Sequence, residues 1–192
     1  MQKSQALKKG FTLIELLIVI AILAILGSAV VVVLNPAEIL AQTRDGTRIS
    51  DLNTLRNAIN TYLVNTTESP LNLGTCTGVG RGTAAGTTPF VIGTGTVVVP
   101  ANPTLITNAG WIDVTFTSVS GGSPISALPL DPTNSTTYFY AYMCAESIST
   151  GYVFELNAKM ESTKFAGKMA NAVDGGNNAS WYEMGTDPGL DL

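Results

Sequence analysis

Hydrophobic positions are distributed along this chain in three regimes. From Phe11 to Leu34 nearly every position is apolar, a run of 24 residues in which Glu15 is the only charge. As a helix the run would extend about 36 Å, enough to cross a hydrocarbon core of about 30 Å. Asn35-Pro36-Ala37-Glu38 interrupts it. One reading is a fresh helix start, with Asn35 as N-cap, Pro36 at the first helical position and Glu38 in the first turn. The other, preferred here, is one long helix kinked or locally melted at Pro36, whose ring removes the hydrogen bond to the Val32 carbonyl. Beyond the interruption, Ile49, Leu52, Leu55, Ile59 and Leu63 recur at spacings of three and four, which predicts an amphipathic helix over 35–64. Arg44, Asp45, Arg48, Asp51 and Arg56 are expected on its other faces, solvated or paired along the helix rather than bound to nucleic acid.

The second regime, 65–110, holds eleven threonines and eight glycines but only two charges, Glu68 and Arg81. It reads as surface loop with short β pieces at 90–92 and 96–99, too poor in apolar residues to form a core of its own. In the third regime, 111–192, the pattern alternates with period two. Ile112, Val114 and Phe116 would share one face of a strand over 111–116. Aromatic runs at 138–144 and 152–156 suggest an antiparallel pair, and 181–184 could supply a last strand. Met160, Phe165 and Met169 hint at a short helix between them.

Charge orients this layout. Lys3, Lys8 and Lys9 precede the apolar run and no acidic residue does, the pattern of a segment whose N-terminal side stays cytoplasmic. Everything after Leu34 is then exported. The formal charge is −4, and loss of residues 1–10 would leave seven Lys+Arg against fourteen Asp+Glu, or −7. An exported domain so acidic argues against non-specific nucleic-acid binding. Cys76 and Cys144 both lie on the exported side, where a disulfide between them persists; two free buried thiols are the alternative. A secretory signal peptide would have a shorter apolar core and a small-residue cleavage site. A plain single-pass anchor explains the length and orientation of the run but leaves Glu15 without a task.

That carboxylate is costly. A charge inside a spanning helix carries a penalty of roughly 2.5 to 3.5 kcal/mol at the centre, less near an end, and such residues are retained for function. Here Lys8-Lys9-Gly10-Phe11-Thr12-Leu13-Ile14-Glu15 resembles the class III signal of type IV pilins and type II secretion pseudopilins. The resemblance implies that a prepilin peptidase cuts between Gly10 and Phe11 and methylates the new amino group of Phe11. It also implies that helices stack with a stagger, so that Glu15 of one subunit meets the Phe11 ammonium of the next. Two charges that are each expensive in an apolar core become tolerable as a pair, and wrong staggers leave one unpaired.

More loosely, "LPLDPTNSTTYFYAY", "YVFEL" and "DGG…WYEMGTDPG" resemble the C-terminal layout of the same family. Together the two resemblances imply an α+β, pilin-like ladle, a long N-terminal helix laid on an antiparallel sheet. The organisation expected is a leader over 1–10, an assembly half of the helix over 11–34, its second half over 35–64, a Thr/Gly-rich loop region over 65–110 and a sheet region over 111–192. The function implied is a structural subunit of a type IV pilus, a homopolymer made with a peptidase/methyltransferase and an assembly platform. It would be a single-pass precursor in the cytoplasmic membrane before joining an extracellular or periplasmic filament. The neighbouring reading is a major pseudopilin of type II secretion. From another class comes a membrane-tethered adhesin or DNA-capturing minor pilin.

The remaining motifs are weak. With no histidine in the chain, Ser-His-Asp and Cys-His catalysis and His-ligated zinc are excluded, and no enzyme is expected. Asp131-Pro132-Thr133-Asn134 and Asp174-Gly175-Gly176-Asn177-Asn178 offer oxygens of the kind calcium takes, but both are also ordinary turn sequences, and the turn reading is preferred for Asp131 and Asp174. Gly80-x-Gly82-x-x-Ala85 matches a dinucleotide pattern without the strand and helix that would give it meaning. Glycosylation triplets at Asn65, Asn134 and Asn178 are similarly uninformative.

Overall fold

The computed structural model describes residues 10–76, 78–92, 95–147, 151–187 and 189–192. The basic leader expected over 1–10 therefore lies, apart from Gly10, outside the described residues. The chain divides into two compact units, 1–39 and 40–192.

In the first unit, helix α1 spans Leu13–Leu34. Thr12, extended at φ −79° and ψ 152°, is its N-cap. The helix stops because Asn35 takes the left-handed conformation at φ 39°, which asparagine tolerates better than most residues. Helix α2, Pro36–Asn65, starts at the next residue. Proline suits that first position because its missing N–H would have no helical partner, and the Asn35 carbonyl accepts from the amides of Glu38 and Ile39 at 3.0 and 3.3 Å. The chain thus breaks at Asn35 and restarts at Pro36; the two helices are not one continuous helix.

The second unit is α+β. Strands β1 (Arg81–Gly82), β2 (Tyr140–Ser147), β3 (Gly151–Ala158) and β4 (Tyr182–Gly185) form a four-stranded antiparallel sheet in that order. Between β3 and β4 lie two short helices, α3 (Thr163–Ala166) and α4 (Asn171–Asp174), separated by a 3-10 turn over Gly167–Met169. One face of the sheet, with Tyr140, Tyr142, Cys144, Phe154, Leu156, Ala158 and Met184, shares a buried core with Leu52, Leu55, Ala58, Ile59 and Tyr62 of α2. The other face gathers Phe139, Ala141, Met143, Val153 and Trp181 under Phe90, Val97 and Leu192.

Three expectations are corrected. Residues 111–116 form no strand: their backbone pairs outside the sheet, Trp111 N–H to the Pro103 carbonyl and Phe116 N–H to that of Ile106. Alternation misled because Trp111, Ile112, Asp113, Val114 and Phe116 are all buried, so no polar face exists. Segment 65–110 is not merely surface loop, since Leu73, Phe90 and Val97 enter the two cores. Several of its glycines allow close approach: a Cβ on Gly80 would meet the Phe90 ring at 2.7 Å, one on Gly82 the Tyr140 carbonyl at 2.8 Å, and one on Gly86 the Phe139 ring at 2.0 Å. That is the structural basis of the Gly80-x-Gly82 pattern. The third correction concerns α2. Its buried positions are Ala41, Asp45, Arg48, Leu52, Leu55, Ala58, Ile59 and Tyr62, so Asp45 and Arg48 lie on the buried stripe, not outside it.

Candidate functional site

Two constellations carry the chemistry, one in each unit. At the start of α1, Gly10 and Phe11 precede the helix in non-helical backbone, and Phe11 is 90% exposed. Thr12 and Glu15 form a capping box. Glu15 Oε2 accepts from the Thr12 amide and from Thr12 Oγ1, both at 2.8 Å, while Thr12 Oγ1 accepts from the Glu15 amide at 3.3 Å. Two of the amide donors that a helix start leaves without partners are thereby satisfied. Sequence reasoning missed this second role for Glu15, although Thr-x-x-Glu ahead of an apolar run is its usual signature. Only Oε2 is engaged; Oε1 makes no hydrogen bond among the described residues.

The rest of α1 presents apolar side chains on every side. Leu13, Ile14, Leu16, Leu17, Ile18, Ile22 and Leu26 are all exposed. Its one polar side chain past the cap, Ser28, is turned back onto the Ile25 carbonyl at 2.8 Å. Residues Leu13–Val30 have a mean hydropathy of 2.8, and among the described residues this is the one helix long and apolar enough to cross a membrane. A soluble protein leaves no such surface uncovered.

In the second unit the buried guanidinium of Arg48 organises a clamp. It grips Asp131 with both arms, Nε to Oδ2 at 2.6 Å and Nη2 to Oδ1 at 2.8 Å. It also reaches Asp45 Oδ1 at 2.8 Å and Glu161 Oε1 at 2.5 Å, with its planar group 5.3 Å from the Tyr138 ring centre. Asp45 in turn accepts from the Ser162 amide and hydroxyl at 2.8 and 2.6 Å, and Arg44 pairs with Glu161 at 2.5 Å. Burial alone would lower the Arg48 pKa, but its carboxylate partners outweigh burial and raise it. Burial likewise opposes ionisation of Glu161, yet hydrogen bonds from Arg44, Thr133 and Arg48 hold its carboxyl down at about 2. Asp131, weighed above as a calcium ligand, spends its oxygens on Arg48 and on the amides of Thr133 and Asn134. Asp174 accepts from the amides of Gly176 and Glu183 at 3.1 and 3.3 Å, as a turn residue does.

Cys76 and Cys144 are joined in a disulfide with a Cα–Cα distance of 4.8 Å, closing a sequence separation of 68 residues. It ties the Thr/Gly-rich segment to β2. In the chain-entropy account a loop of that length contributes about 4 kcal/mol.

An apolar helix with a capped carboxylate at its start, followed by a disulfide-bonded α+β domain, fits a membrane-anchored precursor. Residues 6–31 match the family model described as the prokaryotic N-terminal methylation motif, which is the signature of type IV pilins and pseudopilins. The chain carries that signature, and proteins built on it are structural rather than catalytic. Searches of curated proteins and of solved structures return no match to the chain.

Proposed function

We propose that this protein is a structural subunit of a type IV pilus. It is inserted as a single-pass precursor in the cytoplasmic membrane, cut between Gly10 and Phe11, methylated on Phe11 and polymerised through α1. The observation that carries this reading is α1 itself, almost wholly apolar, exposed at every described side chain and charged only at Glu15. Such a helix needs partners from outside the chain, and copies of itself supply them in a filament. The capping box supports a double role for Glu15. Oε2 secures the helix start in the single subunit, and Oε1 is left for the Phe11 ammonium of the next subunit. Within the family, the 65–110 segment favours a pilus over a secretion pseudopilus, because it exposes Val79, Val91, Ile92, Val98 and Leu105 in addition to its threonines.

Mass spectrometry of sheared filaments tests the processing: Phe11 should be the first residue and carry one methyl group. Filaments that retain residues 1–10 would refute the reading. Glu15→Ala tests the pairing. The variant should insert and be cut as the parent is, but filament yield should collapse, since each neighbour's ammonium is left buried without a partner. Normal filament yield from that variant would return α1 to the role of a plain anchor. Deleting the protein in its host separates the family's two branches: lost surface filaments indicate a pilus, and retained filaments with blocked export of secreted enzymes indicate a pseudopilus.

A further inference from the structure

The sheet face that carries the second core has three polar side chains buried in it: Glu155 and Asn157 of β3 and Glu183 of β4, at 1%, 0% and 2% exposure. Asn157 stands opposite Glu183 in the β3–β4 register and Glu155 lies two residues before Asn157 on the same strand face, so the two carboxyls are neighbours that act on each other's ionisation. Asn157 Nδ2 donates to Glu155 Oε1 at 2.5 Å, the Leu192 amide to Glu155 Oε2 at 3.2 Å and the Asn178 amide to Glu183 Oε2 at 2.8 Å. Glu183 Oε1 and Asn157 Oδ1 have no hydrogen-bond partner among the described residues. Two ionised carboxylates cannot hydrogen-bond each other, because both are acceptors only; one proton between them supplies the donor that the site lacks.

Three stretches of chain close over this pair. Leu192 gives its amide to Glu155, takes the Val91 amide on its carbonyl and packs its side chain with Phe90, Val97 and Trp181. The 174–178 turn lies so close that a Cβ on Gly176 would come within 1.9 Å of Glu183 Oε2. Asn178 Nδ2 donates to the Pro89 carbonyl at 2.9 Å, which fastens the turn to the Thr/Gly-rich segment.

We propose that Glu155 and Glu183 form a proton-held latch: one shared proton keeps Leu192, the 174–178 turn and residues 89–92 on the sheet, and loss of that proton releases them. The other charged groups nearby are Asp174, Asp187 and Asp191, with Arg56 and Lys168 along the groove beside Glu183 and Lys159 beside Trp181. Among the described residues no cation bonds either carboxyl. Burial raises both pKa values above the ordinary carboxylate range; the charge of Glu183 raises Glu155 further, and that of Asp174 raises Glu183. The folded state therefore keeps protons that the unfolded chain would give up. The latch is fully closed in acid and opens as pH rises through the raised values.

The test uses the full chain in detergent micelles with 13C-labelled glutamate carboxyls. Two carboxyls should titrate above the ordinary range. Hydrogen-exchange protection of the Val91 and Leu192 amides, corrected for intrinsic base catalysis, should fall together by about tenfold or more between about pH 5 and about pH 9. Glu155→Gln and Glu183→Gln each install a permanent donor and should hold that protection constant over the same range. The proposal is overturned if every glutamate titrates in the ordinary range, if the two amides keep their protection in the parent, or if both Gln variants lose it as the parent does.

Discussion

Helices α1 and α2 follow one another directly and are opposites in what they bury. Along α1 every residue whose side chain is described is exposed, although its composition is almost wholly apolar. Over α2, 30 residues of mixed composition bury eight positions, two of them ionisable. Composition and burial are thus inverted between neighbours. A helix that is apolar all round and finds no cover within its own chain is built for lipid or for other chains. The helix that carries the charges is the one that the protein's own core consumes. The lesson is that hydrophobicity marks where partners are needed, and only the register of a stripe shows whether those partners are internal.

The comparison breaks most readily at Arg48. Arg48→Met should destabilise the folded head by about 3 to 5 kcal/mol, because Asp45, Asp131 and Glu161 are then left together without their cation. Thermal melting of the full chain in micelles measures this, and a melt unchanged from the parent would show that the clamp is not structural. Paired leucine truncations come next. Leu52→Ala in α2 should cost about 2 to 5 kcal/mol in the same melt. Leu17→Ala in α1 should leave the melt where it was and lower filament yield instead; equal effects on the melt would erase the contrast between the helices.

A milder perturbation is acid. Because the pKa of Glu161 is lowered to about 2, its contribution to stability is complete above the ordinary carboxylate value and is lost as pH falls through the folded one. Unfolding by acid should therefore be reduced in Glu161→Gln relative to its own neutral-pH stability, as a pH series of melts would reveal. The smallest effect is expected at the cap. Thr12→Val removes the hydroxyl of the capping box and should weaken the start of α1 by about 1 kcal/mol. Backbone amide exchange at Leu13 to Leu16 should rise while the head's melt stays fixed.

How far the sequence discloses this molecule differs between the same two helices. For α1 the unbroken apolar run and the Gly-Phe-Thr-Leu-Ile-Glu stretch were sufficient, since hydrophobicity and a local motif need no knowledge of tertiary contacts. For α2 the leucines were legible but Asp45 and Arg48 were sent to the solvent side on their charge. The spacing Ala41, Asp45, Arg48, Leu52, Leu55 runs through them without a break, and following it would have placed both inside. What spacing could not supply was the identity of their partners, because Asp131 and Glu161 are fixed by the return of distant chain. The same reason hid the glycines' close packing and made 111–116 read as a strand. The pair of β2 and β3, by contrast, is joined by a short connection, and its antiparallel pairing was evident from two adjacent aromatic runs.

Arg48 has a further consequence for the order in which this protein can be built. Its partners Asp131 and Glu161 follow it by 83 and 113 residues. Under the orientation proposed above, α2 emerges on the far side of the membrane well before either carboxylate has been translocated. Until then Asp45 is the only one of the arginine's carboxylate partners to have arrived, and the core that the neighbouring leucines share with β2 and β3 cannot be completed. The head is therefore kept open as a threadable chain for most of its passage and settles only when that passage is nearly complete. Under that orientation the clamp would close only near the end of delivery, when Glu161 arrives.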